Sequence, residues 1–424
     1  MIIGCDFMKL SQLLALRIKE AIFGDSFRDM ARKNPEDFTR DRKMPLEGLI
    51  IYMITALKCS TASSLRRFFT TLCVAVTIKQ QSYSTARSKV RVEAIEHLYK
   101  ITASTMTEKC KNKWHGYRIY AIDGTKIALP TDKKLLEFYG GLGKNNTAPT
   151  AQGSILYDVL NDIVADAAIA PLSVDERTLA KRHFNACAAL NPDGKKLIIF
   201  DRGYASFELI EILERMGISY VFRVKRAFNK DIDAQSKPDG YVSLKQDDKR
   251  IHVRVIKFTL DSGEEEMLVT NITDKRLGKN AFKKLYFMRW PVETKYDIVK
   301  NKLQLENFNT RTIEGIQQDF YATMLLSNFA ASVAIDVQDE IEEKRKDKGN
   351  KYQYKVNMNE LIGILKDRLV LALIQDDIDV QANIIDSILE EIKGNVIPIK
   401  PNRSVPRNKS PRKAKFHYNR KANC

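Results

Sequence analysis

Lys195–Ser206 reads KKLIIFDRGYAS, an apolar run that ends in an acid and a turn. KKLIIFD predicts a buried strand closing at Asp201, entered from the break Asn191-Pro192-Asp193-Gly194. Upstream, Asp175, Glu176 and Arg177 open a helix that runs to about Ala189. Downstream, SFELIEILERMG is an amphipathic helix closed by Gly217, and ISYVFRVK is the next strand. Farther back, YRIYAID (Tyr117–Asp123) is a β-type run ending in an acid before Gly124. SILYDVL and DIVADAAIAP follow as two more strands, turned at Asn161-Asp162. The order is three strands, helix, strand, helix, strand, which predicts an α/β fold around a mixed sheet.

Around this core the 424 residues divide further. Residues 1–115 carry helical periodicity in LSQLLALRIKEAIFG, PLEGLIIYMITALKC and SKVRVEAIEHLYKITASTM. Arg66, Arg67, Lys79, Arg87, Lys89 and Arg91 cluster there. Ser82 and Ser84 stand before a basic helix as a capped N-terminus that suits phosphate, or else as part of a wet basic face. Residues 116–225 hold the first part of the core, 226–274 a β-rich insertion, and 275–330 the second part with a helix bearing Glu293. Helices continue over 331–395. The expected basic tail, 396–424, holds nine of the chain's cations from Lys400 onward and no acid. Such a tail should be extended.

A net charge of +17 makes a polyanion the leading partner, with a membrane surface as the competing one. No run approaches a membrane span in length, and no signal-peptide core opens the chain. The six cysteines are scattered without CxxC spacing, which reads as free thiols in a reducing cytoplasm. Zinc and P-loop readings find no support, because the five histidines are dispersed and no GxxxxGK[ST] occurs.

Tyr286–Lys300, YFMRWPVETKYDIVK, sets Tyr286, Arg289, Glu293 and Lys300 at offsets of three, seven and fourteen. On one helix these fall within roughly 60° of one another. That face could hold a metal with its carboxylate and phosphates with its cations, or it could be a solvated charged face. Pro291 favours a helix start, with Tyr286 and Arg289 on a preceding turn. Asp123 and Asp201 each end a predicted strand just ahead of a glycine, where open α/β proteins place their sites, although a turn Asp is the bland alternative. Oxygen ligands from Asp123, Asp201 and Glu293 would suit Mg²⁺ or Mn²⁺, two ions about 4 Å apart activating water or a 3′-hydroxyl.

These residues carry a resemblance. Asp123 in AIDGTKIALP, Asp201 in LIIFDRGYAS and the spacing Tyr-x2-Arg-x3-Glu-x6-Lys resemble the DDE transposases of bacterial insertion sequences, family 4 above all. The likeness covers roughly Ser84–Leu326. It implies a ribonuclease-H-like core with a β-rich insertion, and catalysis with metal ligation by Asp123, Asp201 and Glu293. Tyr286, Arg289, Lys300 and Arg202 would contact DNA, and Trp290 would stack on a displaced base or else pack in the core. The expected function is metal-dependent cleavage at element ends followed by 3′-hydroxyl strand transfer. Partners would be transposon-end and target DNA and, for paired ends, a second copy. A catalytically inactive DNA-binding relative and a ribonuclease-H-like nuclease without strand transfer are the alternatives.

Overall fold

The computed structural model describes residues 8–40, 42–56, 58–75, 78–260, 263–346 and 352–400. The basic tail beyond residue 400 lies outside the described residues. The chain divides into two compact units, one of residues 1–106, 128–149 and 298–424, the other of residues 107–127 and 150–297.

The first unit is helical. N-terminal helices Leu10–Phe23, Leu46–Thr55 and Thr61–Thr71 assemble with the C-terminal helices Ile313–Lys346, Met358–Ile374 and Ile378–Gly394. Segments 300 residues apart in sequence thus share one core. Ile313–Lys346 is its axis, with Met324, Leu325, Phe329, Ala330, Ala331 and Val333 fully buried. Its length and hydropathy match a membrane span, contrary to the sequence expectation, but 83% of its apolar window is buried inside the protein. That burial marks a core helix, in which apolar residues on every side meet other helices.

The basic cluster of the N-terminal region divides between surface and interior. Arg87 is 5% exposed. Its guanidinium donates to Gln318 Oε1 at 2.8 Å, Gly315 O at 2.7 Å and Asp319 Oδ1 at 2.9 Å. Ser82 and Ser84 lie inside the helix Gln80–Arg87 rather than at a cap before the basic segment. The expected tail also starts later, because Val396–Ile399 pairs with Gln353–Val356 as a two-stranded sheet. Cys73, Cys110 and Cys187 form no disulfide, whereas Cys59 is disulfide-bonded, against the expectation for it.

The second unit is built on a mixed sheet. Its strands, numbered for the whole chain, are β1 Arg118–Ala128, β3 Ala148–Asp158, β4 Ile163–Ala170, β5 Lys196–Phe200, β6 Ser219–Val224, β7 Asp239–Gln246, β8 Lys249–Thr259 and β9 Glu265–Thr270; β2 is the two-residue Gly141–Leu142. Spatial order runs β4-β3-β1-β5-β6-β9-β8-β7. β3 and β4 are antiparallel, while β1, β5 and β6 are mutually parallel. Two antiparallel outer strands followed by three parallel ones is the ribonuclease-H-like arrangement. The insertion does not stand apart from it: β9 pairs antiparallel with β6, so β7–β9 extend the same sheet.

The pleat sorts side chains onto two faces. Tyr120, Ile122, Ile198, Phe200, Tyr220 and Phe222 form one core with Phe184, Leu209 and Leu213 of the helices Glu176–Leu190 and Phe207–Arg215. Phe200 and Phe222 stack there at 4.2 Å between centroids. Asp175 caps the first of these helices through Thr178 N–H at 2.8 Å, a contact worth about 1 kcal/mol. Ile119, Leu197, Ile199 and Val221 form the opposite core with Phe282, Leu285 and Tyr286 of the helix Lys279–Phe287.

Candidate active site

Strand register decides which acids can meet. In the β1–β5 pair Arg118 faces Lys196 and Ala121 faces Ile199. Carried on by two residues, the same offset sets Asp123 level with Asp201. In the β5–β6 pair Phe200 faces Phe222, so Asp201 is level with Arg223. Adjacent strands lie about 4.8 Å apart. All three residues share the parity of Ile119, Leu197 and Val221, so the row faces the helix Lys279–Phe287. β1 continues past Asp123 to Ala128, so this acid stands within a strand and not at its end. It lies just beyond the last residue paired with β5.

The helical side of the site is broken where Pro291 predicts it. Tyr286 lies in the last turn of one helix, Arg289 sits in the turn that follows, and Pro291 opens the helix Pro291–Asp297 with Glu293 in its first turn. The Tyr286 hydroxyl lies 3.3 Å from Asp201 Oδ1 and donates to it. Burial, reinforced by Asp201, pushes this phenol up to about 12, so it stays a donor at neutral pH. Arg289 is 7% exposed and donates to Glu293 Oε1 at 2.9 Å. Burial opposes its charge, but Tyr286, Glu293, Asp201 and Asp123 together hold the guanidinium above its usual value. Its Nε is buried without an acceptor.

Asp123 is pushed up to about 6, first by burial and then by Glu293 and Glu176, with Arg289 and the Gly124 N–H acting the other way. That N–H donates to Asp123 Oδ1 at 3.0 Å. Glu176 approaches so closely that a Cβ on Gly124 would stand 2.8 Å from its Oε1 and 2.9 Å from Gln152 Nε2. A side chain at 124 would make the ends of Glu176 and Gln152 shift away from this neighbour of Asp123.

Five of the residues singled out in the sequence meet in this unit: Asp123, Asp201, Glu293, Tyr286 and Arg289. Trp290 is 54% exposed beside them, which removes core packing as its role. Arg202 is exposed in the turn after Asp201, a turn strapped by Arg177 to Gly203 O and Ala205 O. Lys300 belongs to the helical unit, in the π-helical turn Ile298–Lys302, with Glu306 Oε1 at 3.5 Å. The single helical face from Tyr286 to Lys300 is thus not formed. Sequence reasoning missed Arg223, 4.0 Å from Asp201 Oδ1 and bound bidentately by Glu266. It also missed Glu176 as a site residue. Odd–even parity along YVFRVK was the available signal for Arg223.

The family described as Transposase DDE domain matches residues 114–329, just over half of the chain. The chain belongs to this DDE transposase family. The Escherichia coli (strain K12) protein described as "Putative transposase InsZ" is 27% identical over 146 residues, covering 33% of this chain and 47% of that protein. The chain thus spans about half the length of the curated relative it matches. The cryo-EM structure of a piggyBac transposase synaptic complex with hairpin DNA overlaps 93% of this chain and 88% of its own, with 11% identity and a TM-score of 0.49.

DDE transposases generally use divalent metal ions. Among the described residues no three His, Cys, Asp or Glu side chains are grouped tightly enough to hold an ion in their present rotamers. Glu293 is turned to Arg289, and Asp201 to Tyr286 and Arg223. The candidate set of Asp123, Asp201 and Glu293 offers the donor type that suits a hard cation. It is all carboxylate oxygen, and the carboxyl pushed up to about 6 at Asp123 is one whose charge burial leaves under-compensated.

Proposed function

We propose that this chain is a DNA transposase that cleaves the ends of a bacterial insertion sequence and joins the freed 3′-hydroxyl to target DNA. One observation carries the reading: Asp123 and Asp201 stand level on adjacent parallel strands, Tyr286 bonds Asp201, and Arg289 in the turn that follows bonds Glu293. Such convergence of like charges is costly unless a cation is shared among them.

Asp123, Asp201 and Glu293 would hold the metal, Mg²⁺ or Mn²⁺ as two ions. When bound, the pair supplies the Lewis acidity that activates water and then the 3′-hydroxyl and stabilises the leaving oxygen. Arg289, released from Glu293, turns its fork of donors to a phosphate, with its unpaired Nε left to make a second bond. Tyr286 donates its hydroxyl to the same phosphate or keeps Asp201 oriented. Arg202 and Lys300 contribute cations along the backbone, and exposed Trp290 offers a ring face to a displaced base. The protein acts in the bacterial cytoplasm on double-stranded DNA, as a homodimer when two ends are paired. Residues 401–424, with their excess of cations, add non-specific DNA affinity through counterion release.

The test is a nicking and joining assay on DNA carrying the element's terminal repeats. Asp123→Ala, Asp201→Ala and Glu293→Gln should each abolish Mg²⁺-dependent nicking while end binding persists. Nicking retained in any of the three sinks the assignment. Nicking by the parent without joined product, when separate target DNA is supplied, would instead identify a nuclease.

A further inference from the structure

Tyr296 stands three residues after Glu293 in the helix Pro291–Asp297, so the two project from neighbouring positions of one helix face. Its ring is 8% exposed, and its hydroxyl donates to the main-chain carbonyl of Asp123 at 2.7 Å. The helix bearing one acid is thereby bonded to the strand residue bearing another. That carbonyl is also approached from β3, where Ser154 Oγ lies 3.4 Å away. Ser154 in turn meets Nε2 of fully buried His183 at 3.0 Å, and His183 Nδ1 meets Asp166 Oδ2 at 2.7 Å. The Asp123 peptide is therefore held from two sides by buried polar groups. A second anchor fixes the same helix: Lys295, 1% exposed, reaches Asp162 Oδ1 at 2.5 Å, and Tyr157 donates to that oxygen at 2.7 Å.

We infer that Tyr296 is a positioning residue whose hydroxyl sets the separation of the Glu293 and Asp123 carboxylates so that both can ligate one cation. The inference rests on the metal-ligand reading of those acids. A hydrogen bond of this kind acts on the ligands without touching the ion, and loss of such a partner elsewhere typically costs about 10- to 100-fold in metal affinity or rate.

Tyr296→Phe removes one oxygen and keeps the ring. In calorimetric titration of the full chain with Mn²⁺, this variant should bind about tenfold more weakly. Its kcat for nicking should fall by about tenfold or more with end-DNA affinity unchanged, and part of the rate should return at high Mn²⁺. A lowered melting temperature with parental Mn²⁺ affinity and kcat would reduce Tyr296 to packing and overturn the inference. Should that variant be too unstable to purify, Lys295→Met loosens the same helix at its other anchor and should weaken Mn²⁺ binding alike; parental affinity there would also overturn it. Ser154→Ala removes the other donor to the carbonyl and should leave Mn²⁺ affinity within about twofold, because β3 carries no ligand. An equal loss there would shift the effect from the helix to the Asp123 peptide and refute the assignment. Asp123→Asn and Glu293→Gln in the same titration separate the two levels: if both keep parental affinity, the metal-ligand reading itself has failed.

Discussion

Asp123 and Asp201 stand level on adjacent parallel strands, by continuation of the register that pairs Ala121 with Ile199. The burial of Asp123, with Glu293 and Glu176 adding to it, sets up the first expected outcome. The Asp123 carboxyl titrates from an ordinary 3.8 up to about 6 in the fold. Between those values the native chain binds more protons than the unfolded one, so stability falls as pH rises through the window. Asp123→Asn abolishes the charge and should melt above the parent at pH 7, by at most about 3 kcal/mol and less for the carboxyl's partial exposure. The advantage should vanish below about pH 4. Melting curves from pH 4 to 8 check this, and a pH-independent difference would count against burial as the cause.

Arg289 competes with any cation for Glu293. Removing it in Arg289→Ala should tighten Mn²⁺ binding about tenfold in the absence of DNA, in line with the loss of one charge-assisted hydrogen bond. The same variant should lose end cleavage, since the phosphate contact goes with the guanidinium. Calorimetry and a nicking assay on one preparation read both effects. Unchanged Mn²⁺ affinity would mean that the pair with Glu293 does not hold the acid back.

Trp290 is exposed, so Trp290→Ala should leave the melting temperature nearly unchanged, within about 0.5 kcal/mol. If its ring stacks on a base, affinity for ends with an unpaired terminal base should drop by about 1–3 kcal/mol. Affinity for fully paired DNA should change far less. Fluorescence anisotropy with the two DNAs compares them directly.

Arg87 should prove to be a stability residue and not a DNA contact. Arg87→Met leaves buried Asp319 with only Lys58, 4.0 Å away, as a cation and the Asn309 N–H as a donor, and should cost about 3–5 kcal/mol. Denaturant midpoints measure that loss. A variant as stable as the parent but weaker on DNA would return Arg87 to the basic surface where its sequence neighbours place it.

Much of the arrangement was legible in the order of residues. The alternation of apolar runs with Gly, Pro and Asn breaks located the strands and helices of the α/β core, because periodicity and backbone restriction are local properties. Pro291 marked the start of the Glu293 helix for the same reason. The length of β1 was misjudged, since Gly124 reads as a stop. It is instead the small residue that lets Glu176 and Gln152 come within contact.

What the chain's order left open was every relationship that depends on partners distant in sequence. Nothing local in YVFRVK says that Arg223 is level with Asp201; that follows from the parallel register of β5 and β6. Arg87 looked like its basic neighbours until Asp319, 232 positions away, met it in the interior. Lys300 shares a motif with Glu293 yet belongs to the other compact unit, because the boundary between the units falls between Asp297 and Ile298. Residue types and local periodicity specified the acids, the cations and the elements that carry them. Register, burial and long-range pairing determined which acids face one another, since Coulomb energy and desolvation depend on distance in space and not on distance along the chain.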